Sequence, residues 1–200
     1  MRVSRDQMAQ NRLRILDAAA RLFREKGFDA VGVAEVMKAA GLTHGGFYGH
    51  FASKDDLIAQ TLAHAFAATA GQSGGESGDK AAGKSADLTA FMDGYLSPGH
   101  RDHPDRGCPM ACLAAETRHQ TPSARAAMTA GLRAQIDRIS AALPAGDAAE
   151  RRRAAMGSWA AMVGAVILAR AVDDPAFSTE LLEETRAWID ARTGAGPDGT

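Results

Sequence analysis

Residues 27–57 read GFDAVGVAEVMKAAGLTHGGFYGHFASKDDL, and the helix breaks in this stretch predict its fold. Apolar residues at helical spacing predict a short helix with one apolar face, namely Val33, Val36, Met37 and Ala40. Gly41 is placed to end that helix, because glycine adopts left-handed backbone conformations without a steric penalty. Thr43 follows, and its hydroxyl can cap the start of a second helix.

The second helix, predicted over residues 44–50, contains three glycines: Gly45, Gly46 and Gly49. Each glycine costs about 1 kcal/mol of helix stability relative to alanine. A short helix that gives up stability for small residues is typical of one against which another molecule lies closely. Two short helices joined by a glycine-containing turn form the helix-turn-helix arrangement of DNA-binding proteins.

The run AAGLTHGGFYGHFASKDDL, residues 39–57, resembles the signature of TetR/AcrR-type transcriptional regulators. The positions that match in register are Gly41, Thr43, Gly45, Tyr48, His50, Phe51, Lys54 and Leu57. One departure is Val31, where that family usually has a threonine or serine that touches a phosphate. The resemblance is confined to the N-terminal part of the chain and implies nothing about an effector.

The resemblance assigns two kinds of DNA contact. It places His44, Gly45, Gly46 and Phe47 at base edges of the major groove, where the Phe47 ring can meet a thymine methyl group. It places Thr43, Tyr48, His50 and Lys54 at phosphates, which position a protein without reading sequence. The residues leave alternatives open: Tyr48 could be a core residue with its hydroxyl outward, and His50 could brace the next helix. Phe51 and Leu57 are expected in the core.

The composition is that of an ordinary soluble globular protein, with 46% hydrophobic and 24% charged residues. A net charge of −1 does not by itself indicate a nucleic-acid partner. However, residues 1–52 contain eight Lys and Arg against five Asp and Glu, whereas the remainder contains fifteen against nineteen. A basic head on an acidic body fits a protein whose N-terminal part meets phosphate. We predict a DNA-binding domain over 1–52 and a ligand-binding and dimerisation domain over 53–200.

No signal peptide or membrane span is expected. The N-terminus lacks an apolar core, and the longest apolar run, residues 154–169, is shorter than the ~20 residues that a span requires. Two cysteines without an export signal indicate a reducing cytoplasm.

The helix boundaries follow from capping residues and prolines. The first helix is predicted over 7–26, with its arginines (Arg12, Arg14, Arg21 and Arg24) on a solvated surface or, near the N-terminus, within reach of the DNA backbone. Ser53 and Asp56 predict a capping pair for the helix that runs to about residue 70. Residues 71–86, rich in Gly and Ser, predict a flexible loop.

Further helices are predicted to begin at Pro109, at Pro122, at Asp147 with Glu150, and at Asp174 with Pro175, the last one ending before Gly194. An apolar face over 88–95 is closed by Pro98, and residues 100–107 predict a polar loop. Nothing is typical of a strand, so the predicted fold class is all-α.

The last two helices carry an interface pattern. Small residues line one surface between residues 154 and 165, which allows close helix approach: Ala154, Ala155, Gly157, Ala160, Ala161, Gly164 and Ala165. The family resemblance implies a four-helix bundle across a two-fold axis, although an ordinary buried helix would give the same pattern. A homodimer with heads one DNA turn apart would read a palindromic operator.

An effector site is expected between the helices of the body, where pockets are commonly built. The candidate wall residues are His64, Phe66, Phe91, Tyr95, Met110, His119, Trp159 and Met162. Apolar walls with a few polar groups indicate a small, largely apolar inducer. A stripe of Met and aromatic residues also fits a plain core, and no cofactor is predicted.

Cys108 and Cys112 form a separate candidate site. Cys108 directly precedes Pro109, which places it beside a helix N-terminus, where the positive end of the helix dipole favours an anionic sulfur; Arg106 is near in sequence. Four-residue spacing puts both cysteines on one helix face, but a disulfide would distort the first turn. No metal site is predicted, since no second ligand pair accompanies His100 and His103.

Three interpretations of the chain follow. The first is a homodimeric regulator, a repressor released by an inducer. The second keeps the DNA-binding head and makes Cys108 a sensor of oxidants or electrophiles, unless the two cysteines only pack. The third, a thiol-dependent enzyme using Cys108 with His100 or His119, lacks a general-base constellation, so we do not expect an enzyme.

Overall fold

The computed structural model describes residues 5–71 and 80–194 of the chain, and within these ranges the protein is helical and has no β-strand. The α-helices are α1 Arg5–Lys26, α2 Val33–Ala39, α3 Lys54–Gly71, α4 Lys80–Tyr95, α5 Pro98–Asp102, α6 Pro109–Thr117, α7 Pro122–Ala142, α8 Ala148–Ala171 and α9 Pro175–Thr193. Two short 3-10 helices span His44–Gly49 and Pro104–Arg106. The predicted all-α fold class is confirmed.

The chain folds into two compact units. The head unit comprises Met1–Thr69 and Pro104–Gly131, and the body unit comprises Ala70–His103 and Leu132–Thr200. This division differs from the predicted domain boundary between residues 52 and 53. The difference arises because α3, α6 and the first half of α7 pack with the N-terminal helices. Leu113 of α6 and Ala124 of α7 belong to the head unit's core and are almost completely buried.

The core of the head unit is built on α1. Its buried positions recur at helical spacing and form one apolar face: Ile15, Leu16, Ala19, Ala20, Leu22 and Phe23. Phe23 meets the ring of Phe28 edge to face, with centroids 5.3 Å apart, and both rings are fully buried. Full burial of each such side chain contributes roughly 1.5–3 kcal/mol, so this pair fixes the turn that follows α1.

A glycine on α7 makes room for an aromatic ring of α3. A Cβ atom at Gly131 would lie 2.3 Å from Cδ2 of Phe66, closer than two unbonded carbon atoms can approach. Phe66, one of the predicted effector-site residues, therefore packs directly against the α7 backbone.

The body unit contains the pair α8 and α9, whose ends carry the predicted caps. The Asp147 carboxylate accepts hydrogen bonds from the amides of Ala149 (2.8 Å) and Glu150 (2.9 Å), and the Glu150 carboxylate accepts from the Asp147 amide (2.8 Å). This capping box satisfies amides that the first helical turn leaves unpaired. The Asp174 carboxylate caps α9 by accepting from the amides of Ala176 and Phe177, and α9 ends at Gly194 with φ +62°, so both predicted boundaries are confirmed.

Two predicted loops are partly wrong. Within 71–86, Gly71 still belongs to α3 and α4 begins at Lys80, while residues 72–79 lie outside the described residues. Within 100–107, the chain forms the end of α5 and a 3-10 helix. Pro98 was expected to close a helix but begins one, because its fixed φ suits the first turn and the Ser97 hydroxyl accepts a hydrogen bond from the His100 amide (3.2 Å).

Within the described residues, one helix, α8, has the length and the apolar composition that crossing a membrane would require. Of its apolar window, 39% is buried inside the protein. Core and interface helices of soluble proteins meet the same criterion.

We expect Gly131→Ala to destabilise the protein by about 1–3 kcal/mol, because the new methyl group overpacks against Phe66. The matched control is Gly94→Ala in α4, where a Cβ atom meets nothing within 4 Å. There the gain in helix propensity should stabilise by up to about 1 kcal/mol. Urea unfolding of both variants at equal protein concentration measures the difference, and equal midpoints would contradict the packing assignment.

Candidate nucleic-acid interface

The segment between α2 and α3 carries the predicted contact residues, and we call His44–Gly49 the recognition segment. α2 ends in a turn in which Gly41 has φ +69° and the Leu42 amide donates to the Met37 carbonyl (2.9 Å). The predicted helix break at Gly41 is therefore confirmed. Thr43 occupies the N-cap position in an extended conformation, but its hydroxyl makes no capping hydrogen bond, so the predicted cap is wrong.

The recognition segment is a 3-10 helix. Its three glycines are consistent with this geometry, because glycine lowers α-helix propensity and 3-10 helices occur as short segments. One large side chain anchors the segment: Phe47 is only 1% exposed, and its ring stacks on that of Phe51 with centroids 5.7 Å apart. The prediction that Phe47 meets a thymine methyl group is therefore wrong, because its ring fills the core of the head unit.

The outward surface of the segment consists of small and polar residues together with the Tyr48 ring. Five residues from 43 to 48 are exposed, namely Thr43, His44, Gly45, Gly46 and Tyr48, while His50 and Lys54 are half-buried beside them. Tyr48 is 74% exposed, so it is not a core residue. Hydroxyl, imidazole and ammonium groups of this kind suit phosphate oxygens, and the DNA contacts of these residues remain predictions.

The glycines open the surface of the segment. Gly45, Gly46 and Gly49 line a shallow cleft of about 360 Å³, together with Met8 and Asn11 of α1. At Gly45 a Cβ atom would meet nothing within 4 Å, and φ is not positive. The fold itself therefore does not require glycine at position 45, in contrast to Gly41, whose φ of +69° favours glycine.

Arg12 holds the end of the recognition segment in place. Its Nη1 donates to the carbonyl of His50 (2.9 Å), and its guanidinium carbon lies 4.5 Å from the centroid of the Phe51 ring. Its Nη2 also donates to Gln60 of α3. The prediction that Arg12 lies on a solvated surface or at the DNA backbone is corrected, because Arg12 ties α1 to the recognition segment and to α3 inside the head unit.

The start of α3 continues this network. The Asp56 carboxylate accepts from Gln60 Nε2 (2.6 Å) and from the Ala52 amide (2.9 Å), and the Ser53 hydroxyl accepts from the Asp56 amide (3.1 Å). The predicted capping pair is thus present, with Ala52 in place of Ser53 as the donor to Asp56. The hydrogen bond from Gln60 is the main cause that lowers the pKa of Asp56.

Burial, followed by the charge of Arg12, lowers the pKa of His50 and favours its neutral imidazole.

A second candidate site lies around the cysteines, which form no disulfide. Cys108 is the N-cap residue of α6 without a side-chain capping bond, and Cys112 Sγ donates to the Pro104 carbonyl (3.6 Å). Arg24 of α1 reaches the same segment, where its Nε donates to the Asp105 carbonyl (2.8 Å). Burial lowers the pKa of Arg24, and attraction to Cys112, Asp105 and Cys108 opposes that shift.

The predicted effector-site residues divide between the two units. Those in the head unit are separately engaged: Nε2 of His64 pairs with Asp17 (2.6 Å), Phe66 packs against Gly131, Met110 is buried, and exposed His119 accepts from Arg118 (2.7 Å). Three of those in the body unit are close together: the Trp159 ring lies 5.0 Å from Tyr95 and 6.2 Å from Phe91. Met162 is fully buried in the same unit.

His100, which the effector-site prediction did not include, joins the aromatic cluster of the body unit. Its ring lies 4.4 Å from that of Tyr95, and its Nδ1 is 2.7 Å from the Tyr95 carbonyl. Burial is the main cause that lowers the pKa of His100. Among the described residues, no group of three or more His, Cys, Asp or Glu side chains could hold a metal ion.

We expect Gly45→Ala to leave the free energy of unfolding unchanged within about 0.5 kcal/mol or to raise it, because the new methyl group points into open space. If DNA lies against this backbone, the same change should weaken operator binding by about tenfold or more, a loss of ~1.4 kcal/mol. The control Gly41→Ala should instead destabilise the fold by about 1 kcal/mol or more, since its φ is +69°. Unfolding curves and gel-shift titrations measure both effects; unchanged DNA affinity of Gly45→Ala would contradict the assignment.

Comparison with known proteins agrees with this geometry. Residues 15–61 match the family "Bacterial regulatory proteins, tetR family", and residues 85–184 match "Tetracyclin repressor-like, C-terminal domain". The chain is 39% identical over 59 residues to the HTH-type transcriptional regulator AcrR of Shigella flexneri. It is 40% identical over 57 residues to an HTH-type transcriptional repressor of Mycobacterium tuberculosis. These matches span 27% and 30% of the two relatives' lengths.

Solved structures extend the likeness to nearly the whole chain. The reduced form of NemR from E. coli has a TM-score of 0.76 and 23% identity, and the match covers 94% of this chain and 98% of that one. A TetR family regulator from Agrobacterium tumefaciens has a TM-score of 0.74 and 23% identity, covering 93% and 99%. At such identities these likenesses show the fold: a helix-turn-helix head with a C-terminal helical bundle. With both of its regions matched to models of one family, the chain belongs to the TetR family of bacterial transcriptional regulators.

Proposed function

We propose that this TetR family DNA-binding regulator is a homodimeric repressor that binds a palindromic operator and is released by a small apolar inducer. The observation that carries the proposal is the recognition segment. Phe47 is buried, and the segment presents outward glycine backbone, the His44 imidazole and the Tyr48 side chain, which is 74% exposed. Glycine backbone can lie close to a DNA groove, and imidazole and phenol groups can bond to phosphate oxygens.

Within this proposal the contact residues divide into two roles. His44 and the backbone of Gly45 and Gly46 face base edges, whereas Thr43, Tyr48, His50 and Lys54 bind phosphates. Residues 1–52 contain most of these groups and form the DNA-reading part, and residues 53–200 serve ligand binding and dimerisation. The protein acts in the cytoplasm, where the DNA is accessible. TetR regulators are not an enzyme family, and no catalytic activity is proposed.

The surface of α8 and α9 supports the homodimer. Large apolar side chains are 43–53% exposed on these two helices: Met156, Ile167, Leu168, Phe177 and Trp188. On α8, Gly157, Ala160 and Gly164 line the same outward stripe. A groove of about 350 Å³ follows, lined by Ala161, Phe177, Leu181 and Trp188. The same groove is also lined by Glu180, Glu184 and Thr185. Exposed small and aromatic residues edged by polar groups are typical of a protein interface, and a second copy of α8 and α9 completes a four-helix bundle.

Within this proposal the inducer binds beside the aromatic cluster of the body unit. Phe91 is half-buried beside Tyr95 and Trp159, so an apolar ligand can extend the existing ring contacts. An inducer weakens operator binding only to the extent that it prefers the non-binding conformation. Each tenfold preference contributes about 1.4 kcal/mol towards release.

The test is selection of bound sequences from random DNA and from the DNA upstream of the protein's own gene. The affinity for the selected operator is then measured by titration at two salt concentrations. We expect two protomers per palindromic site, with half-sites about 34–36 Å apart. If 6–10 phosphates are contacted, affinity should fall by roughly 10³–10⁵ between 50 and 200 mM salt. Sedimentation without DNA should give a dimer. Binding without sequence preference, or by a monomer, would contradict the proposal.

A second candidate keeps the DNA-binding head and makes Cys108 a switch for oxidants or electrophiles. The observation that favours it is Arg24, whose Nε donates to the carbonyl of Asp105, three residues before Cys108. A cation beside a thiol is typical of reactive cysteines. The similar NemR structure is described as a reduced form, which is consistent with this candidate.

If the switch exists, N-ethylmaleimide should lower the operator affinity of the wild type by at least about tenfold, ~1.4 kcal/mol. The Cys108 sulfur would bond to an alkene carbon while the thiol proton passes to the neighbouring carbon. Cys108→Ser should abolish the response, and the matched control Cys112→Ser, one helical turn away, should keep it. A response that persists in Cys108→Ser would exclude this role for Cys108.

A further inference from the structure

We propose that Glu116 is a positioning residue for the DNA-binding head, through which α6 fixes the turn between α1 and α2. The inference rests on the proposed operator binding. Its basis is one hydrogen bond: Oε2 of Glu116 accepts from the backbone amide of Phe28 at 2.8 Å. The two residues are 88 positions apart in the chain, so the bond joins distant segments of the head unit.

The amide that Glu116 binds lies just after the end of α1. α1 ends at Lys26, and Gly27 follows with φ +83°, its amide donating to the Phe23 carbonyl (2.8 Å). The next amide, that of Phe28, points away from the helix and finds its acceptor in the Glu116 carboxylate. A backbone amide removed from water requires such a partner, and a charged acceptor makes the bond stronger than a neutral one.

The fit between turn and carboxylate is close. A Cβ atom at Gly27 would lie 2.6 Å from Oε1 of Glu116 and 2.8 Å from Oε2. Position 27 favours glycine because of its positive φ, and any larger side chain there would also have to displace the Glu116 carboxylate. Glycine at position 27 therefore leaves the space in which the carboxylate meets the turn.

The contact also lies where it can orient the recognition segment. Phe28 and Val31 are fully buried on the two sides of the turn, and α2 begins two residues later at Val33. Met37 of α2 is fully buried in the same core as Phe47. A shift of the turn is thus passed through α2 to the recognition segment, because close-packed groups cannot absorb it by deformation.

Glu116 belongs to the region that matches the C-terminal domain family, whereas Phe28 belongs to the region that matches the DNA-binding family. Arg24 makes a parallel connection from α1 to the segment before α6, where its Nε bonds to the Asp105 carbonyl (2.8 Å). Leu113, one turn before Glu116, is buried in the head unit's core. α6 is therefore placed to pass a change in its own position to the turn.

The experiment compares Glu116→Ala with Glu116→Gln, whose amide oxygen can still accept the hydrogen bond. We expect Glu116→Ala to weaken operator binding by about threefold to thirtyfold, the range found for residues that modulate coupling without touching ligand. Hydrogen exchange at the Phe28 amide should become faster in the same variant. Glu116→Gln should restore most of the operator affinity and most of the protection of the Phe28 amide from exchange. The matched control is Glu25→Ala, which removes only an exposed pair with Arg21 and should change neither.

Each outcome decides the inference. Wild-type operator affinity in Glu116→Ala would overturn it, and so would a loss of affinity that Glu116→Gln fails to restore, because the hydrogen bond would then not be the cause. Circular dichroism and unfolding midpoints ensure that affinities refer to folded protein. If the wild type itself binds no operator, the proposed function fails, whereas selective loss in Glu116→Ala with a binding wild type supports both.

Discussion

The recognition segment has too little helix propensity to be stable alone, and its conformation depends on contacts with the rest of the head unit. Three of its six residues are glycine, so its conformation is stabilised by tertiary contacts. The main contact is the burial of Phe47 against Phe51, and the Arg12 guanidinium fixes the carbonyl of His50 at the segment's end. Removal of the ring from water contributes roughly 1.5–3 kcal/mol, comparable with the helix propensity that three glycines give up.

This dependence explains why the head unit is larger than a helix-turn-helix. The core that receives Phe47 also contains Leu113 and Ala124, which come from α6 and α7. These helices belong to the region matched to the C-terminal domain family, so packing within the head unit joins parts of both family regions. An effector acts only through a conformational equilibrium that also involves the DNA-binding surface.

The elements that could be predicted from the sequence are those specified by local chemistry. Gly41 ends α2, Ser53 and Asp56 cap α3, and the box of Asp147 and Glu150 begins α8. Each of these depends on residues within four positions of one another. The all-α class followed from the same signals, and the family resemblance supplied the helix-turn-helix assignment.

What could not be predicted depends on distant partners. Arg12 contacts a carbonyl 38 residues away, and Glu116 contacts an amide 88 residues away. Neither leaves a sequence pattern, because each pairs a common charged residue with a backbone group. The prediction for Phe47 is wrong for a related reason. An aromatic residue between glycines can point into the core or towards solvent, and its orientation here depends on packing against Phe51 and the rest of the core. The start of α5 was missed because Pro98 both ends and begins helices.

We propose that the head binds DNA with the recognition segment and the residues that flank it. Amide hydrogen exchange in the free and operator-bound dimer tests this most directly. We expect operator to slow exchange at residues 43–50 and at the start of α3, while the amide of Phe51, already bonded to the Phe47 carbonyl (3.1 Å), exchanges slowly in both states. Protection confined to other parts of the chain, with residues 43–50 unchanged, would contradict it.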